Sequence, residues 1–310
     1  MKHLLTILFM TLYTVTVGAQ DINTQVLQQI SAIRSGNPAQ FRALEQAISR
    51  RPNDVFNTLA PYRTDTLYRV REWIYEQYHN ILLTHNRPPA MRMEIVLQLI
   101  GGLSDPRLSI RNDCVDYLTQ CNLQDFTPQA QEQFSSLFNS RVWFSRDLVL
   151  LAGFIGDASC RATLEEMAYS PPPEQRRLQW HANLALSRMG DNNAMNWCLS
   201  QINSIGINDN VVYELLPGLI YTRQQRVYEY LVAVINSDEQ LCTSSNPDSG
   251  ASILCGYRVM EYLAPVVKGY PLKLLPSGDI DTRDYHRALL TVRNWFANKR
   301  GEYDILTDTF

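Results

Sequence analysis

The chain has 310 residues, 45% of them apolar and 19% charged, with a formal charge of −3 at pH 7. That composition suits a globular chain able to bury a core. The slight negative charge argues against non-specific nucleic-acid binding, which needs a basic stripe to displace counterions, and no polybasic block points to a membrane surface.

The first residues, MKHLLTILFMTLYTVTVGAQ, read as a cleavable secretory signal over 1–19. Lys2 supplies the positive start, Leu4 to Val17 the apolar core, and Val17-Gly18-Ala19 the small-residue exit. The apolar run is short of the roughly 20 residues that span a bilayer. The first cysteine is Cys114, so no lipid-anchored cysteine is expected after cleavage. The mature chain is therefore expected outside the cytoplasm, periplasmic or secreted, with no transmembrane segment left.

Helical periodicity then runs along the chain. Asn23 to Ile33, with Asn23 as a cap, and Phe41 to Ser49 come first. In RTDTLYRVREWIYEQYHNILL, Asp65 or Thr66 is placed to cap a helix whose apolar stripe is Leu67, Val70, Ile74, Tyr78, Ile81 and Leu82. Met91 to Leu99 follows. SDPRLSIRNDCVDYL starts a helix at Asp105-Pro106, with Pro in the first turn. Both of these segments set an Asp before the helix and an Arg inside it, Arg71 and Arg111. Pro128 to Phe138 comes next, and then LLAGFIGD (Leu150–Asp157) is echoed by LALSRMGD (Leu184–Asp191), 34 residues on. Gly takes the left-handed conformation that stops a helix and Asp caps the next one, so each copy is a helix–turn–helix joint. Small residues at Ala152, Ala182 and Ala185 let neighbouring helices approach closely.

Further helices are expected over Gln175 to Met189, Asp209 to Ile220 and Arg223 to Ile235. A polar insertion over 237–256 contains CTSSNPDSGASILC, which Cys242 and Cys255 bracket. A disulfide between them is preferred over free thiols in an oxidising compartment. On one continuous helix, Cys114 and Cys121 would lie about 10 Å apart, beyond disulfide reach. A staple between Cys160 and Cys198 stays open. Arg258 to Val267 and Asp284 to Ala297 close the array, with Arg283, Arg287, Arg293 and Lys299 facing outward. Between them VVKGYPLKLLPSGD is expected to cross the surface irregularly.

Asp105-Pro106, Val70-Arg71, Ile110-Arg111 and the two Gly-Asp joints make the chain resemble HEAT-type repeat proteins, best over 104–205. The resemblance implies an all-α fold: a right-handed α-solenoid of stacked antiparallel helical hairpins, armadillo-like, in a single domain over 20–310. It implies architecture rather than activity. Stacked hairpins offer a long curved surface on which aromatic and Arg residues act as anchors.

Three places qualify as partner-binding sites. One is EQRRLQWHANLA, with Arg176, Arg177, Trp180 and His181, where Trp180 is either an anchor or core. The second is LIYTRQQRVYEYL, with Tyr221, Arg223 and Arg226. The third is the Cys242–Cys255 loop, a recognition feature or a tolerated insertion.

Catalytic motifs are missing. The histidines after the leader are His79, His85, His181 and His286, none in a metal-binding spacing. There is no H-E-x-x-H, G-x-S-x-G, Walker loop or G-x-G-x-x-G. Iron-dependent HEAT-repeat hydroxylases carry His-Glu pairs, and here no His precedes a Glu. Glu165-Glu166 point about 100° apart on a helix, which suits a solvated face. The expectation is a binding or assembly scaffold for a protein or peptide of the cell envelope or extracellular space, without metal or cofactor. The alternative is an enzyme or carbohydrate-binding module built on the same frame, with Trp180, His181 and nearby carboxylates in a groove.

Overall fold

A computed structural model describes residues 22–37, 42–84, 87–140, 143–244 and 250–310. The expected signal segment 1–19 and His85 lie outside them. Among the described residues the chain is all-α, apart from one two-stranded sheet of two residues per strand. Its contacts divide it into two compact units, Met1–Tyr117 and Leu118–Phe310.

The first unit holds α1 (Ile22–Arg34), α2 (Arg42–Arg50), α3 (Pro52–Leu59), α4 (Tyr68–Leu83), α5 (Pro89–Gly102) and α6 (Leu108–Leu118), which runs to its boundary. Ile22, Val26, Ile30 and Ile33 form the buried stripe of α1, which packs on α2, α3 and α4. Helix α4 is buried more widely, through Val70, Trp73, Ile74, Tyr75, Tyr78, Ile81 and Leu82. Gly102 fits where nothing larger would: a Cβ there would lie 2.4 Å from the Cys114 sulfur and 3.0 Å from the Tyr75 ring.

The Asp-before-helix, Arg-in-helix pattern turns out to be an ion pair. Arg71 grips Asp105 with two bonds, Nε to Oδ2 at 2.7 Å and Nη2 to Oδ1 at 2.9 Å. Asp105 Oδ1 also accepts the Arg107 amide at 2.8 Å, opening α6. Asp65 does not cap α4 directly. The cap position is Leu67, and Asp65 accepts the Leu67 amide from the turn before it.

The second unit contains α7 (Pro128–Asn139), α8 (Arg146–Ile155), α9 (Arg161–Tyr169), α10 (Gln179–Arg188), α11 (Asn192–Ile205), α12 (Leu216–Tyr221), α13 (Gln225–Asn236), α14 (Gly256–Leu263) and α15 (Tyr285–Lys299). Its frame is a row of side-by-side helices: α8 on α10, α10 on α12, α12 on α14. Helices α9 and α11 pack against α10, and α13 against α12 and α14. Every residue from Leu148 to Ile155 is buried, as is Ala182 through Ser187. The polar members bond locally: Asn183 Nδ2 donates to Gln179 O at 2.9 Å and Ser187 to Asn183 O at 2.7 Å, while Asn183 Oδ1 is buried without a partner.

Both Gly-Asp joints form as their residue types require. Gly156 and Gly190 adopt φ of 72° and 85°. Asp157 then accepts the Ser159 amide, and Asp191 the Ala194 amide at the start of α11. Cys242 and Cys255 are bonded, with β1 (Cys242–Thr243) paired antiparallel to β2 (Ser252–Ile253). Cys114, Cys121, Cys160 and Cys198 are buried and form no disulfide, so there is neither a Cys160–Cys198 staple nor a Cys114–Cys121 bond.

Three further local expectations need correction. Residues Pro173–Leu178 form a 3₁₀ turn ahead of α10, because consecutive prolines at 171–173 withhold the amides of an α-helical start. Arg223 does not begin α13 but sits at φ 55° in the reversal before it. Arg293 is turned inward, donating to the carbonyls of Ile235 and Ser237 and to Asp238, which satisfies the end of α13. The VVKGYPLKLLPSGD connection runs irregularly and mostly exposed, as its residues suggest, with Leu274 bridging Ile280 and LPSGD making a tight turn with Gly278 at φ 90°.

Candidate functional site

The helix row of the second unit lines a cleft of about 770 Å³, within the size range of ligand sites. The 34-residue register explains how the cleft is assembled. Arg146, Trp180 and Glu214 are spaced 34 apart, as are Leu150, Leu184 and Gly218, and as are Asp147 and His181; all of them line the cleft. Equivalent positions on successive helices fall side by side, so one sequence position becomes a row of side chains. Arg146, Asp147, Trp180 and His181 all stand in the first turns of α8 and α10.

The third member of the row arrives by an irregular route. Pro217 lacks an amide and would crowd the Tyr213 carbonyl in a regular helix. The chain widens into a π-turn over Val211–Leu215 just before it. That turn leaves Tyr213 and Glu214 exposed at the cleft. Gly218 allows α10 to close in: a Cβ there would sit 2.6 Å from Leu184 Cδ1.

The wall chemistry is aromatic and charge-paired. Arg258 donates to the Tyr213 hydroxyl at 3.0 Å and to Glu261 at 2.8 Å, with its guanidinium 5.6 Å from the Tyr213 ring centre. Tyr285 donates to the other Glu261 oxygen at 2.5 Å. That bond, with burial adding to it, pushes the Tyr285 phenol up to about 12. Burial opposes the charge on Arg258, but the Glu261 and Tyr213 bonds outweigh it and raise its pKa. Arg146 pairs with Asp147 at 3.0 Å across more exposed ground.

His181 is the histidine of the cleft lining. Burial foremost, then the Arg146 charge, lower its pKa to about 4, against a smaller opposing pull from Asp147. Its Nδ1 is buried without a hydrogen-bond partner. The imidazole is therefore neutral through the physiological range, and NMR titration of the His181 ring is expected to show a midpoint near 4. A midpoint at the ordinary value of about 6.5 would mean the ring is solvated and not part of this wall. Among the described residues, no group of three or more His, Cys, Asp or Glu side chains is placed to hold a metal ion.

Of the partner-binding residues expected from sequence, the cleft gathers Trp180, His181, Tyr221 and Arg223. Trp180 is half-buried, leaning on Trp197 with ring centres 6.0 Å apart. Tyr221 is buried, its hydroxyl donating to the Leu150 carbonyl, so it contributes a ring face and no free polar group. Arg176 and Arg177 are exposed on the 3₁₀ turn, and Arg226 donates to Asn196 at 2.6 Å; none of the three lines the cleft. The Cys242–Cys255 loop is tied at its base by Thr243 to Asp209 and also lies outside the lining.

Sequence reasoning missed Arg146, Asp147, Tyr213, Glu214, Arg258, Glu261 and Tyr262. Shifting Trp180 by 34 in each direction would have found Arg146 and Glu214. Arg258 and Glu261 carry no such signal, because the polar insertion breaks the register before them.

At one end of the cleft the segment 304–310 is received as extended chain. Arg188 lies over the rings of Phe154 and Tyr221, at 4.9 and 4.8 Å, and donates to the carbonyls of Thr307 at 3.0 Å and Thr309 at 2.7 Å. Arg223 donates to the Phe310 main-chain oxygen at 2.9 Å. The Phe310 ring rests against Phe154 and Tyr221, with centres 5.7 and 5.2 Å away. Searches of protein-family models, of curated proteins and of solved structures found no match to this chain.

Proposed function

We propose that this is an exported, HEAT-like α-solenoid protein that binds a protein or peptide partner of the cell envelope or extracellular space, with the second unit's cleft as its binding face. The observation that carries the reading is the row of equivalent positions, Arg146, Trp180 and Glu214, repeated every 34 residues along one wall. Trp, Tyr and Arg are the side chains that dominate protein-interface energetics, and the cleft concentrates them.

Two further features support the repeat reading. The Gly-Asp joints recur at 34 residues, and Arg-to-Asp pairs reach from one hairpin towards the next at separations of 34 and 30, Arg71–Asp105 and Arg161–Asp191. Support for export comes from the leader-like first 19 residues and from the disulfide, which belongs in an oxidising compartment. No helix among the described residues is long and apolar enough to cross a membrane.

A second reading, a saccharide or small-molecule ligand, draws on the cleft volume and on paired Arg and carboxylate groups offering donors and acceptors together. The test is affinity capture from envelope and extracellular extracts with the full chain. Trp180→Ala is expected to weaken the captured protein about 30-fold, near 2 kcal/mol, while Arg176→Ala and Arg177→Ala leave it bound. A partner indifferent to Trp180→Ala would remove the cleft from the account. Glycan binding without any protein partner would promote the second reading.

A further inference from the structure

The described residues of the Cys242–Cys255 insertion stand outside the cleft lining, yet both its ends are joined to elements that carry the lining. At one end Cys255 opens α14, its carbonyl accepting the Arg258 and Val259 amides at 3.1 and 3.3 Å. Arg258, Glu261 and Tyr262 follow on that helix as cleft wall. At the other end Thr243 is held by Asp209, whose carboxylate accepts the Thr243 amide at 3.0 Å and its hydroxyl at 2.6 Å. Asp209 stands just ahead of the π-turn Val211–Leu215, which brings Tyr213 and Glu214 to the cleft. The Arg258 Nε bond to the Tyr213 hydroxyl, 3.0 Å long, joins the two elements again on the wall itself.

These links close into a ring. Backbone runs from Asp209 to Tyr213, a hydrogen bond crosses to Arg258, and backbone returns to Cys255. The disulfide then leads to Cys242, and its neighbour Thr243 reaches back to Asp209. Without the disulfide, Thr243 would hang on a polar stretch whose sheet has two residue pairs. A two-stranded ribbon of that length does not hold itself in water. Cys242 and Cys255 are only 3% and 4% exposed, so the bond, once made, is shielded from attacking thiols.

We infer that formation of the Cys242–Cys255 disulfide brings the cleft into its binding-competent form, with Asp209 and Thr243 as the positioning residues that pass the constraint to Tyr213 and Glu214. The two thiols give up two protons and two electrons to a disulfide-bearing oxidant, which leaves as a dithiol. In the reduced chain Thr243 parts from Asp209, the Tyr213–Arg258 contact slackens, and the cleft loses one wall. The chain therefore takes its partner only after oxidation. The inference rests on the cleft being the binding face and names what controls it.

Hydrogen exchange and NMR of the full chain test it, with two variants. Cys242→Ser combined with Cys255→Ser removes the bond, and Asp209→Ala keeps the bond but cuts its route to the π-turn. Amides of 211–216 are expected to exchange about tenfold or more faster in both variants, and those of 256–262 in the cysteine variant. Amides of α8 and α10 should keep their rates. The Arg258 Nε–H signal should broaden in both, and Asp209→Asn, which retains an acceptor for Thr243, should restore most of it. If the competent fraction falls tenfold, capture of the protein partner weakens about tenfold as well.

Far-UV circular dichroism checks that the cysteine variant folds, and Asp209→Ala decides the matter if it does not. Unchanged rates at 211–216 in Asp209→Ala, or undiminished capture, overturn the inference. Faster exchange throughout α8 and α10 overturns it too, because the bond would then be a general staple. Trp180→Ala leaves the ring intact and should keep the exchange rates of the unaltered chain. A partner indifferent to Trp180→Ala thus counts against the cleft reading, while the exchange rates judge the ring separately.

Discussion

Asp105→Ala is expected to cost the first unit about 4 kcal/mol, because it strands a guanidinium that is largely shielded from water. The Arg71 and Asp105 side chains are 13% and 4% exposed, and Asp105 also holds the Arg107 amide that opens α6. Removing one partner leaves the other's desolvation unrecovered, whereas replacing both with apolar groups removes the penalty with the bond. Asp105→Leu combined with Arg71→Met should therefore lose much less than Asp105→Ala alone. Urea unfolding followed by hydrogen exchange in α4 and α6 reads both. A loss below about 1 kcal/mol for Asp105→Ala would class the pair with surface bridges.

The same pair has a pH signature. Burial by itself would raise the Asp105 carboxyl, but the Arg71 bonds and the Arg107 amide outweigh it and hold the group below the ordinary aspartate range. Its contribution is complete above the unfolded value of about 3.9 and is lost as pH falls through the lower folded value. Asp65 and Asp191 are held down in the same sense, with burial again opposed by hydrogen bonds and an Arg. Acid should loosen the Arg–Asp pairs of both units together.

Gly153→Ala is expected to cost the second unit about 3 kcal/mol even though alanine is the better helix former. An added Cβ would lie 2.5 Å from Ala185 Cα and 2.6 Å from the Tyr221 hydroxyl. The first neighbour is backbone of α10 and has nowhere to move without carrying the helix. The second is the group that donates to the Leu150 carbonyl. Gly-to-Ala in an open helix gains about 1 kcal/mol, so a stabilised variant would show that α8 and α10 are not this close. Because those helices carry Asp147 and His181, spreading them should weaken partner capture as well as lower the melting temperature.

The two Gly-Asp joints were legible in sequence because their physics is local. Gly156 and Gly190 are needed for a left-handed stop, and Asp157 and Asp191 bond amides two or three residues on, so each copy is complete within a few residues. The disulfide was legible for a related reason: Cys242 and Cys255 bracket a polar stretch too poor in apolar residues to order itself. Other features depended on neighbours distant in the chain. The π-turn before Pro217, the inward turn of Arg293 and the burial of Tyr221 follow from which helix lies alongside, and no short window of sequence holds that information.

The candidate site divides along the same line. Trp180, His181, Tyr221 and Arg223 were singled out by residue type, but Arg176, Arg177 and Arg226, of equally suitable type, stand outside the cleft. By itself the sequence determined the helices, where two of them stop, and the 34-residue spacing, all consequences of backbone stereochemistry and periodic burial. Only the tertiary structure decided which faces meet. It brought Arg258 to Tyr213 across 45 residues and laid 304–310 over Arg188. Such contacts are set by the packing of whole helices, whose direction a side chain's identity does not encode.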